Sequence, residues 1–405
     1  MSLIAPRRGR GRWVVAALLL LAIAAVIAFQ LLRSVPAIAA RPNVPAAITT
    51  ASAAPSLPWP ARGAGAVGAT DVGLLATGGS TTPQPMFSVA KIMTALVILE
   101  DKPLKTGESG PTLTVDAADV EIYKARLAGG ESVVKVQAGE QLTELQALQA
   151  LLIPSGNNVG VLLAKWDAGS EAALVVKMNA KARALHLVNT TFDDVSGVST
   201  KTQGVPSELV VLAGLAIKDP VITSIVAMKQ AELPVAGVVY NVDYALGQEN
   251  IIGVKTGSSP EGGANFVFAA SHAIEGRPIT ILGAVMGLTT LDEAFAASKE
   301  LIKAVRTNLS IRHLVLAGSA LGTYRTPWGA GTDIVPVKAL DVVNWPGLPV
   351  RAHFEARPVN APLGAGTTVG SFSIRAGDQV LQTPLVTRTD LGKVPTRYRL
   401  TRLDL

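Results

Sequence analysis

The longest apolar stretch of the chain lies near its amino terminus and predicts a membrane-spanning helix. From Trp13 to Leu32, Gln30 is the single polar residue among twenty. As a helix the stretch is about 30 Å long, which matches the hydrocarbon core of a bilayer. Four arginines and no acid precede it. We therefore expect residues 1–12 to form a basic cytoplasmic tail, residues 13–32 to span the membrane, and the remainder to be extracytoplasmic.

The sequence leaves open whether this segment is cleaved as a signal or retained as an anchor. Ala37-Ile38-Ala39 has the small-x-small pattern of a signal-peptidase site, whose cleavage would release the protein. The apolar run is longer than a usual cleaved signal, however, and Arg33 separates it from that site. We favour a retained, single-pass anchor in the cell membrane.

Residues 33–60 are rich in proline and alanine and predict an extended linker. The stretch holds six prolines, and Arg41 is the single charged residue after Arg33. Proline interrupts helices, and such a composition favours an extended chain of about 3.1 Å per residue. We expect this linker to hold a folded domain away from the membrane.

Between residues 61 and 310 the hydrophobic pattern changes from strands to helices and back. Thr143 and Gln146 form a capping box before apolar positions at helical spacing. Helical patterns continue between the first strand and the later ones. The strand patterns are Val67–Ala76, Ile251–Thr256, Phe266–Ser271 and Ile279–Met286. Strands at both ends of a helical block predict an α+β fold, in which an all-helical cluster packs against one sheet.

Residues 311–405 consist of short apolar stretches separated by glycine and proline. This spacing is typical of several short strands and predicts a small β-rich domain at the carboxyl end. No candidate catalytic motif lies within it, so we expect it to serve packing, spacing or docking.

Composition and charge exclude several classes of function. The 405 residues include no cysteine and four scattered histidines, which excludes disulfides and cysteine nucleophiles and argues against a metal site or other cofactor. The net charge is +6, but the first 70 residues hold seven arginines and no acid. The remainder is close to neutral, so we expect no nucleic-acid partner.

A candidate nucleophile and base lie in the tetrapeptide Ser88-Val89-Ala90-Lys91. Positions i and i+3 share one face of a helix, so the Ser88 hydroxyl and the Lys91 amine are within reach of each other. A lysine can act as the base of a serine when burial and nearby positive charge lower its pKa.

Two further short motifs follow in the chain. Ser155-Gly156-Asn157 comes after Pro154 in a turn between helical patterns, where glycine allows a sharp bend. Lys255-Thr256-Gly257 ends an apolar strand, where Lys255 and Thr256 can hold an anion and Gly257 admits a close backbone approach. Each motif alone is weak evidence of function.

Taken together and in this order, the three motifs resemble those of the serine D-alanyl-D-alanine carboxypeptidases, the low-molecular-mass penicillin-binding proteins. The resemblance extends from about residue 65 to 309 and more loosely beyond. Its supporting stretches are Phe87–Glu100, Leu151–Asn158, Thr191–Gly197 and Gly253–Asn265. It implies a β-lactamase/transpeptidase-like domain at 61–310, followed by the β-rich domain.

The resemblance also implies roles for the motif residues. Ser88 would be acylated, Lys91 would accept its proton, and Ser155 would relay a proton to the leaving group. The expected substrate is a peptidoglycan stem peptide ending in D-Ala-D-Ala, from which the last D-alanine is removed. Penicillin and other β-lactams are expected to acylate the same serine.

The binding residues follow from the same resemblance. Asn157 would contact the substrate amide, and Lys255 and Thr256 would bind its terminal carboxylate. Backbone N–H groups of Ser88 and Ser258 would form the oxyanion hole.

Two alternative functions remain at this point. A β-lactamase would need a second base in a Glu-x-x-x-Asn element between the second and third motifs, and the acids there lack that pattern: Glu171, Glu208, Glu232 and Glu249. A catalytically silent protein that binds β-lactams or cell wall is the other alternative, and release of D-alanine would separate it from a carboxypeptidase. Endopeptidase activity on cross-links is a neighbouring possibility.

Overall fold

The computed structural model describes residues 10–45, 47–48, 53–260 and 262–402. In these residues the helices are α1 Arg10–Leu32, α2 Lys91–Asp101, α3 Ala117–Ala128, α4 Glu144–Leu152, α5 Asn157–Ala168, α6 Glu171–Ala184, α7 Pro206–Lys218, α8 Pro220–Val226, α9 Leu291–Asn308 and α10 Thr396–Thr401.

The strands that precede the helical block or lie within it are short. They are β1 Ala40–Pro42, β2 Ala47–Ile48, β3 Ala64–Ala69, β4 Gly73–Gly79, β5 Gln84–Pro85, β6 Thr112–Thr114, β7 Gln141–Thr143, β8 Gln203–Gly204, β9 Gln230–Leu233 and β10 Gly237–Tyr240. The later strands are β11 Ile251–Ser259, β12 Gly263–Ile274, β13 Arg277–Leu288, β14 Ser310–Val315, β15 Gly322–Arg325, β16 Gly331–Pro336, β17 Leu340–Asn344, β18 Val350–Ala356, β19 Thr368–Ala376 and β20 Gln379–Thr387.

The chain forms two compact units. One comprises residues 312–342 with the described parts of 1–49 and 349–405, and the other comprises 343–348 with the described part of 50–311. The second unit contains all three motifs. The functional division into a catalytic and an accessory domain stays a prediction.

The unit with the motifs is built on an antiparallel sheet of five strands in the order β11-β12-β13-β3-β4. One face packs on α9, where the rings of Phe266 and Phe295 meet edge to face with centroids 5.0 Å apart. On the other face, Val267 and Leu282 belong to the core shared with α2, α4, α5 and α7. This arrangement confirms the predicted α+β fold, with β11 at an edge of the sheet.

The prediction of a single strand over Val67–Ala76 is wrong, because the chain turns back within it. β3 and β4 form a hairpin whose turn contains Asp71 with φ of 65° and Gly73 with φ of 88°. Aspartate and glycine tolerate this left-handed backbone better than other residues. This turn signal lies inside the apolar run, whose hydrophobic pattern continues across it. The capping box of Thr143 and Gln146 forms at the start of α4 as predicted.

The other unit contains a seven-stranded sheet in the order β1-β15-β16-β20-β19-β18-β2. This sheet contradicts a free linker over the first half of residues 33–60. Ile38 exchanges backbone hydrogen bonds with Val359, β1 pairs with β15, and β2 pairs with β18. Both β1 and β2 are edge strands, where a proline such as Pro42 is tolerated because one side of the backbone needs no partner.

The amino-terminal helix α1 has the length and composition of a membrane span. The most apolar 18-residue window within residues 11–32 has a mean hydropathy of 2.8, and none of it is buried within the protein. The end of α1 is held by the carboxyl-terminal segment of the chain. Arg399 donates a hydrogen bond to the Leu31 carbonyl at 2.9 Å, and Arg402 donates to the Ser34 carbonyl at 2.9 Å. Gln30 donates to the Arg402 carbonyl at 3.4 Å.

Candidate active site

The local fold brings Ser88 and Lys91 together. The tetrapeptide Ser88-Val89-Ala90-Lys91, expected on one face of a helix, lies in a 3-10 turn at Phe87–Ala90 that continues into α2. Side chains at i and i+3 eclipse each other in a 3-10 turn, since it has three residues per turn. Lys91 Nζ therefore lies 2.8 Å from Ser88 Oγ, within hydrogen-bonding distance.

The amine of Lys91 is fully enclosed by protein. The Lys91 side chain is buried with no exposed surface, whereas Ser88 is partly exposed. Besides Ser88, the amine donates hydrogen bonds to Asn157 Oδ1 at 2.6 Å and to the Ser196 carbonyl at 3.0 Å. These two hydrogen bonds fix the orientation of the amine, so that the third tetrahedral position of Nζ faces the Ser88 hydroxyl.

Burial lowers the pKa of Lys91 well below its ordinary value, because the charged form loses its hydration. The charge of Lys255 and, more weakly, that of Arg126 lower this pKa further. The carboxylates of Asp194 and Glu131 oppose the shift without cancelling it. The surroundings thus favour a neutral amine, which is the form able to accept a proton from a hydroxyl.

Backbone strain supports the position of the nucleophile. Phe87, directly before Ser88, has φ of 51°, a conformation that a bulky residue rarely adopts. A Cβ atom on Gly197 would overlap the Phe87 carbonyl, so this close approach requires a glycine at 197. Strained residues of this kind persist where the surrounding structure fixes them, as it does beside Ser88.

The Ser155-Gly156-Asn157 turn also faces Lys91. Ser155 has φ of 68° and is 3% exposed, and its Oγ has no hydrogen-bond partner among the described residues. A buried hydroxyl without a partner is unusual and indicates a group that is kept available for another molecule. Asn157 begins α5 and connects Lys91 to Glu131, whose Oε2 accepts a hydrogen bond from Asn157 Nδ2 at 2.8 Å.

The third motif lies on the edge strand β11. Lys255 is 1% exposed and Thr256 is 3% exposed, while Ser258 at the end of the strand is exposed. A Cβ on Gly257 would lie 2.7 Å from the Met86 carbonyl and 3.0 Å from the Ser88 nitrogen. Glycine at this position thus allows β11 to approach the nucleophile's backbone closely.

Lys255 is the second buried cation of the site. Burial lowers its pKa to about 7, and the charge of Asp243 opposes this decrease. Among the described residues its Nζ makes one hydrogen bond, to the Thr256 carbonyl at 3.3 Å. A buried cation with so few acceptors is suited to an anionic group of a ligand.

The structure thus brings the three motifs together, through Lys91 with Asn157 and through Gly257 with Ser88. The sequence analysis missed the second layer of the site. Arg126 binds Glu131 at 2.7 Å, so that it holds the carboxylate that orients Asn157. Asp194 accepts hydrogen bonds from Ser196 and its neighbours. The stretch Thr191–Gly197 belongs to the resemblance, but the spacing of Arg126 and Glu131 carries no sequence signal.

Comparison with known proteins gives the family of the chain. The model of the D-alanyl-D-alanine carboxypeptidase family matches residues 59–289, more than half of the sequence. The chain is 31% identical over 238 residues to the D-alanyl-D-alanine carboxypeptidase of Streptomyces sp. strain K15, covering 54% of this chain and 77% of that protein. It is 24% identical over 333 residues to DacD of Escherichia coli, covering 79% of this chain and 84% of that protein.

The fold agrees with this match. Penicillin-binding protein 5 of Haemophilus influenzae superimposes with a TM-score of 0.61 at 18% identity, over 84% of this chain and 100% of that chain. This likeness supports the transpeptidase-like fold of the matched region. From the matched region and the geometry of its motifs, we conclude that the chain belongs to the D-alanyl-D-alanine carboxypeptidase family of serine peptidases.

Proposed function

We propose that Ser88 is the nucleophile and Lys91 the general base with which this carboxypeptidase removes the terminal D-alanine of peptidoglycan stem peptides. One observation carries the assignment: a fully buried lysine amine lies 2.8 Å from a partly exposed serine hydroxyl. Among the described residues no histidine contacts Ser88, so Lys91 is the base that the site offers.

Acylation of Ser88 then proceeds through a tetrahedral intermediate. Ser88 Oγ attacks the carbonyl carbon between the two D-alanines as its proton passes to Lys91. When the tetrahedral intermediate collapses, the carbon–nitrogen bond breaks, and the departing amine of D-alanine receives a proton. The unpartnered hydroxyl of Ser155 is the group that we assign to this transfer, by donating its own proton and regaining one from Lys91.

The third motif positions the substrate. Lys255 and Thr256 bind the terminal carboxylate, and the amide of Asn157 contacts the peptide. The backbone N–H groups of Ser88 and Ser258 stabilise the oxyanion, and each such donor contributes about 3 kcal/mol in known examples. Gly257 sets the distance between the two donors, since it allows β11 to approach the backbone of Ser88.

Deacylation reuses the same base. Water attacks the ester carbonyl and transfers a proton to Lys91, the carbon–oxygen bond to Ser88 breaks, and the proton returns to the serine oxygen. A β-lactam would acylate Ser88 by opening its ring amide. Its amine stays covalently attached, so it cannot diffuse away as D-alanine does.

We also propose that α1 is retained as a single-pass membrane anchor. Its outer end is bound by guanidinium groups of Arg399 and Arg402, which satisfy backbone carbonyls that a helix end leaves free. Gln30, the one polar residue of the apolar run, bonds to the same segment. Cleavage after Ala39 would remove these contacts from the folded unit, which favours retention.

The first prediction tests the nucleophile. Wild-type protein treated with penicillin should gain the mass of one penicilloyl group on the peptide that contains Ser88, and it should release D-alanine from a diacyl-D-Ala-D-Ala peptide. Ser88→Ala should lose both, because the bond-forming oxygen is removed, while the thermal unfolding midpoint stays close to wild type. Acylation of wild type without D-alanine release would favour a silent penicillin-binding protein. Acylation at another residue would refute the assignment.

The second prediction concerns pH. Lys91 must be neutral to accept a proton, so kcat/KM rises as pH increases through its lowered pKa. Lys255 must be charged to bind the carboxylate, so kcat/KM falls again as pH passes about 7. A bound carboxylate stabilises the charge, so the alkaline decline of kcat should lie at higher pH than that of kcat/KM. A kcat/KM that stays constant from neutral pH to about pH 9 would contradict the role of Lys255.

The third prediction tests the close approach at Gly257. Gly257→Ala should force β11 away from the backbone of Ser88 and slow penicillin acylation by about 100-fold or more, the scale of losing an oxyanion donor. Gly392→Ala is the matched control, because nothing lies within 4 Å of its Cβ position. Near-normal acylation in folded Gly257→Ala would show that the spacing is unimportant.

The fourth prediction separates an anchor from a cleaved signal. The protein isolated from native membranes should carry α1 by intact mass and should require detergent for extraction. Ala39→Gln, which removes the small residue of the candidate cleavage site, should leave this distribution unchanged. A mature protein that starts at residue 40, or a shift of Ala39→Gln from a soluble to a membrane fraction, would indicate cleavage.

A further inference from the structure

The direction of the lone pair on Lys91 depends on the two acceptors that bind its amine. A lysine ammonium has three N–H groups, whereas the neutral amine has two and a lone pair. Asn157 Oδ1 at 2.6 Å and the Ser196 carbonyl at 3.0 Å occupy two positions around Nζ. The third position faces Ser88 Oγ, 2.8 Å away. In the neutral amine, the lone pair is therefore directed at the Ser88 hydroxyl as long as both acceptors stay in place.

The side chain of Asn157 could turn either end of its amide toward Lys91, and Glu131 decides which end it is. An ionised carboxylate only accepts hydrogen bonds, and Glu131 Oε2 lies 2.8 Å from Asn157 Nδ2. The NH2 group must therefore face Glu131, and this turns Oδ1 toward Lys91. In the reversed amide, an N–H would point at the lone pair of Lys91 and compete with the Ser88 hydroxyl.

The chain around Glu131 is bonded to the start of α5. The backbone nitrogen of Asn157 donates to the Ser132 carbonyl at 2.8 Å. Asn158 Oδ1 accepts from the backbone nitrogen of Val134 at 2.9 Å, and its Nδ2 donates to the Val134 carbonyl at 2.9 Å. The main chain thus keeps the Glu131 carboxylate beside the amide that it orients.

Arg126, in the last turn of α3, holds the oxygen of Glu131 that accepts from Asn157. Its Nη1 donates to Glu131 Oε2 at 2.7 Å, and Asn157 Nδ2 donates to the same oxygen. The side chains of Arg126 and Glu131 are 19% and 22% exposed, so solvent competes little with this pair. The guanidinium therefore keeps an acceptor in front of Asn157.

The same guanidinium is linked to the second acceptor of Lys91. Arg126 Nη2 lies 3.9 Å from Glu171 Oε2. Glu171 Oε1 accepts a hydrogen bond at 3.4 Å from the backbone nitrogen of Val195, the residue directly before Ser196. Each acceptor of the amine is thus connected to Arg126 through one carboxylate.

We propose that Glu131 is a positioning residue of the carboxypeptidase reaction, whose carboxylate fixes which end of the Asn157 amide faces Lys91. Arg126 keeps the accepting oxygen of Glu131 in place. Both residues act on the reaction through the direction of the lone pair on the base. The inference rests on the proposed roles of Ser88 and Lys91.

The test compares Glu131→Met with Glu131→Gln. Methionine keeps the length of the side chain but has no oxygen, so the Asn157 amide can reverse. Penicillin acylation of Ser88 should then slow by about 100-fold, the scale of a misplaced catalytic group. Glutamine offers an oxygen that Arg126 directs at Asn157, so Glu131→Gln should retain most of the wild-type rate. Glu121→Met is the matched control, because it removes a carboxylate from an exposed ion pair on α3 and should leave the rate unchanged.

A second probe separates the base from substrate binding, since Asn157 is also proposed to contact the peptide. The bare penicillin nucleus has a free amine in place of the side-chain amide. Glu131→Met should slow acylation by this probe by the same factor as acylation by benzylpenicillin. A loss confined to benzylpenicillin would mean that Glu131 serves substrate binding alone, and it would overturn the proposal.

A double substitution tests the part of Arg126. In wild type, Arg126→Met leaves a carboxylate at position 131, and either of its oxygens can accept from Asn157. In the Glu131→Gln background, the glutamine amide can itself reverse once the guanidinium is gone. Arg126→Met should therefore slow acylation about tenfold more in that background than in wild type. Equal effects in the two backgrounds would overturn the proposal.

The failure of this inference is distinguishable from the failure of the proposed function. Equal acylation rates in folded Glu131→Met and Glu131→Gln, with a normal adduct on Ser88 in wild type, would reject the role of Glu131 alone. A wild-type protein without an adduct on Ser88 would reject the proposed function itself. If Glu131→Met does not fold by its thermal unfolding midpoint, the double substitution decides.

Discussion

The site depends on keeping a lysine amine out of water next to a serine hydroxyl. A buried ammonium loses its hydration, and the loss is large enough to shift a lysine pKa by several units in other proteins. Lys91 has no exposed surface, and the ammonium of Lys255 adds a second unfavourable charge. Ser88 alone is a weak nucleophile, and among the described residues no histidine assists it. In the proposed mechanism, the core that packs around α2 is thus what makes the serine reactive.

Burial alone would leave the amine free to turn toward other acceptors. Asn157 and the Ser196 carbonyl each accept one of its hydrogen bonds, and Glu131 with Arg126 holds Asn157 from behind. The backbone around the site shows the cost of this arrangement, in the left-handed conformations of residues 87 and 155 and in the glycines that pack against Phe87. Such strain is stable only because the sheet and the helical cluster fix both sides.

The motifs could be predicted from sequence because each depends on local spacing. Ser88 and Lys91 meet through one turn of chain, and the capping box at Thr143 acts over three residues. The remainder depends on long-range contacts. Arg126 and Glu131 can orient Asn157 only because α3 packs against α5. That long-range contact cannot be predicted from the spacing of residues in the sequence. The composition of the proline-rich segment predicted a free linker. An extended chain can also pair as an edge strand, however, and an edge strand tolerates a proline such as Pro42.

The two buried lysines of the site, Lys91 and Lys255, need different charge states in the proposed mechanism, and they have different neighbours. The charge of Asp243 opposes the decrease in the Lys255 pKa, whereas Lys91 donates hydrogen bonds to the neutral acceptors Asn157 and Ser196. If both were charged, the two ammonium groups would repel each other, and Lys91 could not accept the proton of Ser88. If both were neutral, the substrate carboxylate would have no counter-charge. The carboxylate of Asp243 and the amide of Asn157 thus give the two lysines different surroundings, which agrees with the roles proposed for them: Lys255 binds the substrate carboxylate and Lys91 accepts the proton.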